Sequence, residues 1–71
     1  MSRLQTVSGS RCAQALERVG FVVRRKHGSH IVLRREAPYC QVVVQETLDK
    51  GALRAIIKAA DMTVEQFVAL L

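Results

Sequence analysis

The sequence predicts one small α+β domain in which a three-stranded antiparallel sheet carries its helices on one face. Two observations predict it. Apolar residues recur at helical spacing near both ends of the chain, whereas the middle holds three short β-rich runs separated by turn residues. A chain of 71 residues has room for one modest core. The expected order is helix, three strands, helix and short helix, with residues 8–71 forming the domain and residues 1–7 packing loosely.

The first helix is predicted over about residues 9–19. Ser8 or Ser10 can accept a hydrogen bond from the free amides of its first turn. The apolar residues Cys12, Leu16 and Val19 then follow at i, i+4 and i+7. Gly20 can adopt the left-handed conformation that ends a helix.

The three strands are predicted from residues 21–26, 30–35 and 40–45, which are rich in Val, Ile and Leu. Residues 27–29 (His-Gly-Ser) offer the first turn between them. Residues 36–39 offer the second, because Pro38 fixes its own φ angle and has no N–H to donate to a strand ladder. Such short connections imply an antiparallel meander.

The second half of the chain again has apolar residues at helical spacing. This apolar stripe predicts a second helix that begins near Gly51 and ends at Asp61-Met62. Its members are Leu53, Ile56, Ile57 and Ala60. Thr63 and Gln66 then form a T-x-x-Q capping box, which predicts a short final helix through Val64, Phe67, Val68 and Leu71.

The charge is positive and unevenly distributed. The net charge is +5, with +7 in residues 1–35 and −2 in residues 36–71. A one-sided positive surface favours a polyanionic partner such as a nucleic acid. An ordinary solvated basic face accounts for the same counts equally well.

Other features favour a cytoplasmic protein. The apolar runs are too short to cross a membrane, and the N-terminus has no signal-peptide pattern. Two cysteines, Cys12 and Cys40, are too few for the disulfide framework of a small secreted domain. They are interpreted as small buried hydrophobic residues.

His30 is the candidate catalytic residue. Alternation along the second strand places Ile31 and Leu33 on one face and His30, Val32 and Arg34 on the other. A histidine beside basic residues suits phosphodiester chemistry, because an imidazole donates or accepts protons near neutral pH. The 2′-hydroxyl of RNA is a built-in nucleophile, so such a site needs no metal. From spacing alone, however, a solvated turn histidine is the favoured interpretation.

Other kinds of site are not favoured. The histidines and cysteines lack zinc-ligand spacing, and residues three apart on one strand, such as His27 and His30, point to opposite faces. Glycine-rich phosphate loops and an acid-oriented nucleophile are absent from the sequence. Three aromatic residues are too few for a base-stacking platform. No cofactor is expected.

Several motifs together resemble the HicA toxin family. Residues 16–21 (LERVGF) and 25–30 (RKHGSH) are similar to that family's L-x-x-x-G-F helix end and the G-S-H that opens a strand. Residues 48–60 (LDKGALRAIIKAA) resemble its L-x-x-G-T-L-R-x-I-L block, and residues 62–67 (MTVEQF) its closing motif. The resemblance covers roughly residues 8–70.

The resemblance implies an αβββα fold like a double-stranded RNA-binding domain. It also implies metal-independent cleavage of mRNA and neutralisation by a HicB-like antitoxin that covers the site. Its catalytic histidine corresponds to His30, with Gly28 and Ser29 shaping the turn before it. The basic residues Arg24, Arg25, Lys26 and Arg34 are then expected to hold phosphates of the RNA.

Two departures from the family keep other functions open. Members commonly carry V-P-x-H late in the third strand, where this chain has Val42-Val43-Val44-Gln45, and an aromatic residue where it has Leu33. Gln45 can orient a group but cannot shuttle a proton. A non-catalytic RNA-binding module on the same fold is therefore the main alternative, and a pure protein-interaction module is a third hypothesis.

Overall fold

The computed structural model describes residues 4–71, and its architecture confirms the predicted order of elements. The helices and strands are α1 (Gly9–Glu17), β1 (Val22–His27), β2 (His30–Glu36), β3 (Tyr39–Gln45), α2 (Lys50–Ala59) and α3 (Val64–Val68). The strands form one antiparallel sheet in the order β1-β2-β3. The fold is therefore α+β, of the αβββα type with one further short helix.

Helix α1 begins where its sequence predicts and ends at Glu17, two residues before the predicted end. The Ser8 hydroxyl accepts a hydrogen bond from the Arg11 N–H at 3.2 Å. At the other end, Gly20 has a φ of +96°, and the Phe21 N–H donates to the Leu16 carbonyl at 3.2 Å. This left-handed ending brings the chain directly into β1 and buries Phe21 against the core.

The sheet is regular between β2 and β3 but not between β1 and β2. Every residue from His30 to Glu36 has a partner in β3, from Gln45 back to Tyr39. In β1, Val23 pairs with Leu33 and Arg25 with Val32, so Arg24 is an extra residue without a partner. This β-bulge interrupts the alternation of side chains along β1.

The core lies between one face of the sheet and the helices. The sheet contributes Ile31, Leu33, Val42 and Val44, and the helices contribute Cys12, Leu16, Leu53, Ile56, Ile57 and Phe67. Burial raises the pKa of the Cys12 thiol to about 11, so Cys12 is a packing residue and not a reactive thiolate. Cys40 is only half-buried, and its thiol donates to the Ala59 carbonyl at 3.0 Å.

Caps define both C-terminal helices. The Asp49 carboxylate accepts from the Ala52 N–H at 2.7 Å, so α2 begins at Lys50, one residue before the predicted opening at Gly51. The capping box is confirmed, since the Thr63 hydroxyl accepts from the Gln66 N–H at 3.0 Å and the Gln66 side chain accepts from the Thr63 N–H at 2.9 Å.

The segment before α1 packs more tightly than expected. The expectation that residues 1–7 pack loosely is wrong for Leu4 and Val7, whose side chains are buried in the core. They have no helical or strand periodicity because the segment is irregular, so the sequence carries no pattern that marks them as buried. Residues 1–3 lie outside the described part of the chain. Among residues 4–71, no helix combines the length and the apolar character needed to cross a bilayer.

Gly9 is the point of closest approach between α1 and the sheet. Its N–H donates to the Glu46 carbonyl at 2.8 Å. A Cβ atom at this position would lie 2.1 Å from the Gln45 carbonyl oxygen and 2.8 Å from the Glu46 Cα. Because both obstacles are backbone atoms, only a residue without a side chain fits there.

We expect Gly9→Ala to lower the free energy of unfolding by about 1–3 kcal/mol, because α1 and the end of β3 must move apart. Thermal denaturation followed by circular dichroism measures the change. Gly51→Ala is the matched control: a Cβ there meets only the Asp49 side chain at 3.4 Å, and alanine favours helix. Gly51→Ala should leave the melting temperature equal or higher, and an unchanged melting temperature in Gly9→Ala would contradict the close approach.

Candidate functional site

The sheet face that points away from the helices carries the candidate site, and we call it the open face. Ile31 and Leu33 are buried on the helix side of β2, so His30, Val32 and Arg34 lie on the open face, as the alternation predicts. His30 is exposed at the first position of β2. A side chain placed there is accessible to a large substrate.

A tight turn sets the position of His30. Gly28 and Ser29 alone separate His27 from His30, which are paired across β1 and β2. Gly28 has a φ of +59°, and a Cβ built on it meets nothing within 4 Å. The requirement for glycine here is therefore conformational, as in a two-residue hairpin turn that needs a positive φ at its first position.

Glu46 connects this turn to α1, although no sequence motif marks it. Its N–H donates to the Ser29 carbonyl at 2.8 Å, and its own carbonyl accepts from the Gly9 N–H at 2.8 Å. Its carboxylate accepts from the Ser10 hydroxyl at 3.2 Å. These bonds join the β1–β2 turn, the end of β3 and the start of α1 in one place. Nothing in the local sequence signals them, because the partners are far apart in the chain.

Three polar side chains form a row across the end of the sheet on the open face. His30 has His27 as its Cα partner in β1 and Gln45 as its Cα partner in β3. Directly opposed residues in a sheet place their side chains on the same face. The expectation that His27 and His30 point to opposite faces is therefore wrong: β1 extends through His27, so the two residues belong to different strands and not to one.

A cluster of arginines lies further along the same face. Arg24, Arg25 and Arg34 line a depression of about 350 Å³, together with Val32 and Gln41. Strict alternation would send Arg24 and Arg25 to opposite faces of β1, but the bulge at Arg24 lets both reach one depression. We call these three residues the arginine cluster.

The arginine cluster keeps most of its positive charge. Arg34 Nε lies 3.3 Å from Glu36 Oε1, a half-exposed ion pair without hydrogen-bond geometry. No other ion pair is found among residues 4–71. Arg34 is four residues from His30 along β2, about 13 Å at the usual rise per residue, whereas Arg25 lies opposite Val32, only two residues or about 7 Å along the strand from His30.

Two other basic residues near the site are placed differently. Lys26 pairs with Ile31, whose side chain faces the helices, so Lys26 lies on the helix side of β1 although its side chain is exposed. The structure does not bring it to the arginine cluster. Arg35 has a structural role, because its side chain is engaged within the protein. Its guanidinium stacks 4.9 Å from the centre of the Phe21 ring, and its Nε donates to the Pro38 carbonyl at 3.1 Å.

The open face also exposes apolar side chains. Val22, Tyr39 and Val43 are 55%, 63% and 50% exposed, and Val32 between them is half-buried. Neighbouring exposed apolar groups beside arginines are typical of a surface that binds another macromolecule. Sequence alternation places Val32 on this face, but it assigns no face to Val22 or Val43.

Comparison with known proteins agrees with this architecture. Residues 9–62 match the family model described as HicA toxin of bacterial toxin-antitoxin. The matched region runs from the first residue of α1 to just beyond α2, and it includes the whole sheet and the row of His27, His30 and Gln45. No curated protein matches the chain. Because the family model covers well over half of the sequence, the chain belongs to the HicA toxin family of bacterial toxin–antitoxin systems.

Proposed function

We propose that this HicA-family protein is a metal-independent endoribonuclease that cleaves mRNA with His30 as a catalytic residue. The observation that carries the proposal is the position of His30. It is exposed at the start of β2, on the same face as three arginines and within the family match. An exposed proton-transfer group beside a phosphate-binding surface is the minimum that RNA cleavage requires.

The chemistry uses a nucleophile that the RNA itself supplies. The 2′-hydroxyl oxygen attacks the adjacent phosphorus, the bond to the 5′-oxygen breaks, and a 2′,3′-cyclic phosphate and a 5′-hydroxyl end result. One proton must leave the 2′-oxygen and one must reach the 5′-oxygen. The imidazole of His30 is suited to one of these transfers, and the role of the protein is otherwise to hold the phosphates.

The arginine cluster is proposed to bind the RNA backbone beside the cleaved bond. Arg24, Arg25 and Arg34 present guanidinium groups, which bind phosphate with two parallel hydrogen bonds. Along the strands Arg25 is about 7 Å and Arg34 about 13 Å from His30, so Arg25 is placed beside the cleaved phosphate and Arg34 for a neighbouring one. Such contacts position the strand without reading its sequence.

The remaining predicted residues act locally in this proposal. Gly28 and Ser29 hold His30 in place through the turn, and the Ser29 carbonyl is already bonded to the Glu46 N–H. Lys26, exposed on the other side of β1, is assigned a contact with a phosphate at the edge of the sheet. Its separation from the arginine cluster gives it a secondary role.

The partner proposed for the open face is a HicB-like antitoxin. The family is that of a toxin–antitoxin pair, which requires an antitoxin in general. Exposed Val22, Tyr39 and Val43 lie on the same face as His30 and supply the apolar contacts that a protein interface needs at its centre. A partner bound there covers His30 and excludes RNA.

A non-catalytic RNA-binding module is the second candidate function. It is favoured by Gln45, which is the Cα partner of His30 in β3 and whose side-chain amide cannot act as a general acid or base. Such a module binds RNA through the arginine cluster and leaves it intact. Assays of cleavage and of binding on the same RNA separate the two functions.

The rate of cleavage of a long unstructured RNA in EDTA should fall by about 10²–10⁴-fold in His30→Ala, because a proton-transfer group is removed. Gel electrophoresis measures the products, and circular dichroism checks the fold. Arg54→Ala, which changes an exposed residue of α2 on the helix side, should cleave like the wild-type protein. Binding without cleavage by the wild-type protein would support the second candidate, and cleavage by both proteins would rule out His30.

Replacement of the arginine cluster should weaken RNA binding and make it less sensitive to salt. In a His30→Ala background, Arg24→Gln, Arg25→Gln and Arg34→Gln together should reduce the slope of log affinity against log salt by about 0.7 for each phosphate that is no longer neutralised. Fluorescence anisotropy with a labelled single-stranded RNA measures it. The charge-matched control replaces Arg18 at the end of α1 and Arg54 and Lys58 of α2, all exposed, by Gln. Equal slopes in the two triple variants would show that only net charge matters.

A further inference from the structure

Strand register gives His30 a second imidazole as a direct cross-strand neighbour on the open face. His27 is the Cα partner of His30, and both side chains are exposed. The Cα atoms of opposed residues in an antiparallel pair lie about 4.5–5.5 Å apart, and their side chains leave the same face. The two-residue turn at Gly28 and Ser29 holds the pair together.

Cleavage of RNA calls for two proton-transfer groups, and this inference rests on the proposed function. The attacking 2′-oxygen and the leaving 5′-oxygen lie on opposite sides of the phosphorus, roughly in line. A single imidazole held on a strand cannot reach both oxygens in the same step. The other cross-strand neighbour of His30 is Gln45, whose amide cannot act as a general acid or base.

We infer that His27 is a second catalytic residue, which works with His30 as an acid–base pair. One imidazole, neutral at the start, takes the proton from the 2′-hydroxyl as the P–O2′ bond forms. The other, protonated at the start, gives its proton to the 5′-oxygen as the P–O5′ bond breaks. The pair ends with its protonation states exchanged, and hydrolysis of the cyclic phosphate by water in the reverse sense restores them.

The surroundings of the pair carry few other titratable groups. On β1, Arg25 is the next residue on the open face and Lys26 lies on the helix side. On β2 the next charged residue is Arg34, and Gln45 and Val43 of β3 are uncharged. Glu46 follows β3 with its carboxylate bonded to the Ser10 hydroxyl, next to Arg11 of α1. Helices α2 and α3 pack on the opposite side of the sheet. The pH dependence of cleavage should therefore report the two histidines.

The first test is the pH profile of kcat/KM for RNA cleavage by the wild-type protein and His27→Gln. The wild-type profile should be bell-shaped, because one histidine must be neutral and the other protonated. His27→Gln should lose about 10²–10⁴-fold in kcat with little change in KM, and one limb of the bell should disappear. Arg54→Gln is the control and should keep both limbs.

The second test supplies a leaving group that needs no acid. A uridine 3′-aryl phosphate ester with a nitrophenol leaving group cleaves without protonation of the departing oxygen. Of His27→Gln and His30→Gln, the variant that lacks the acid should cleave this ester close to the wild-type rate, and the variant that lacks the base should not. Equal losses of cleavage rate in both variants on both substrates would overturn the assignment of one histidine as the acid and the other as the base.

The third test moves the second imidazole to the other side of His30. His27 and Gln45 are the two Cα partners of His30, so a histidine at position 45 would also lie beside it. The double variant His27→Gln/Gln45→His should therefore have a kcat at least about tenfold higher than that of His27→Gln. Tenfold is a small part of the rate that an acid–base group contributes. Circular dichroism checks that each variant is folded. A purely structural effect of His27 would not be repaired from the opposite strand.

The outcomes separate this inference from the proposed function. An active wild-type protein with normal cleavage and both limbs in His27→Gln overturns the role of His27 alone. A change in KM and salt sensitivity without a change in kcat makes His27 a phosphate-binding residue and also overturns it. A wild-type protein that binds RNA without cleaving it overturns the proposed function, and the role of His27 with it.

Discussion

The arrangement of the site depends on the junction at Glu46. Its backbone N–H is bonded to the Ser29 carbonyl and its backbone carbonyl to the Gly9 N–H, both at 2.8 Å. Because a Cβ at Gly9 would overlap the Gln45 carbonyl, α1 approaches the end of β3 too closely for any side chain at position 9. This contact fixes the β1–β2 turn, and hence His30, relative to the helical layer. Backbone hydrogen bonds suit this purpose because they hold the turn whatever side chains the open face presents to a substrate.

The sheet separates stability from function by its two faces. On the helix side, Leu33, Val42 and Val44 pack against the helices and supply the burial that a small domain needs. On the open face no helix covers the strands, so polar and charged side chains are free to bind a partner. The same face carries exposed valines, which cost solubility in an isolated protein and which a bound antitoxin would shield. Uncovered charged side chains and exposed valines on one face are both consistent with a toxin that an antitoxin protein binds.

The local geometry of β1 gives the basic stretch its shape. Consecutive arginines on a regular strand would face opposite ways and dilute their charge over two surfaces. The bulge at Arg24 gathers Arg24 and Arg25 with Arg34, while Lys26 falls on the far side. The Arg35 guanidinium stacks on the ring of Phe21. Of the five basic residues between positions 24 and 35, only three therefore form the arginine cluster, which a count of charges cannot show.

Short-range signals in the sequence were enough to predict the helices and strands and the face on which His30 lies. Ser8, Gly20 and the Thr63–Gln66 box mark helix ends through contacts with residues only a few positions away, and apolar alternation in β2 sends Ile31 and Leu33 to the core. Other features arise only in the folded chain: the bulge at Arg24, the burial of Leu4 and the junction at Glu46. The two groups differ in range. Caps and periodicity depend on near neighbours, whereas strand register and the packing of irregular segments depend on residues that meet only when the chain has folded.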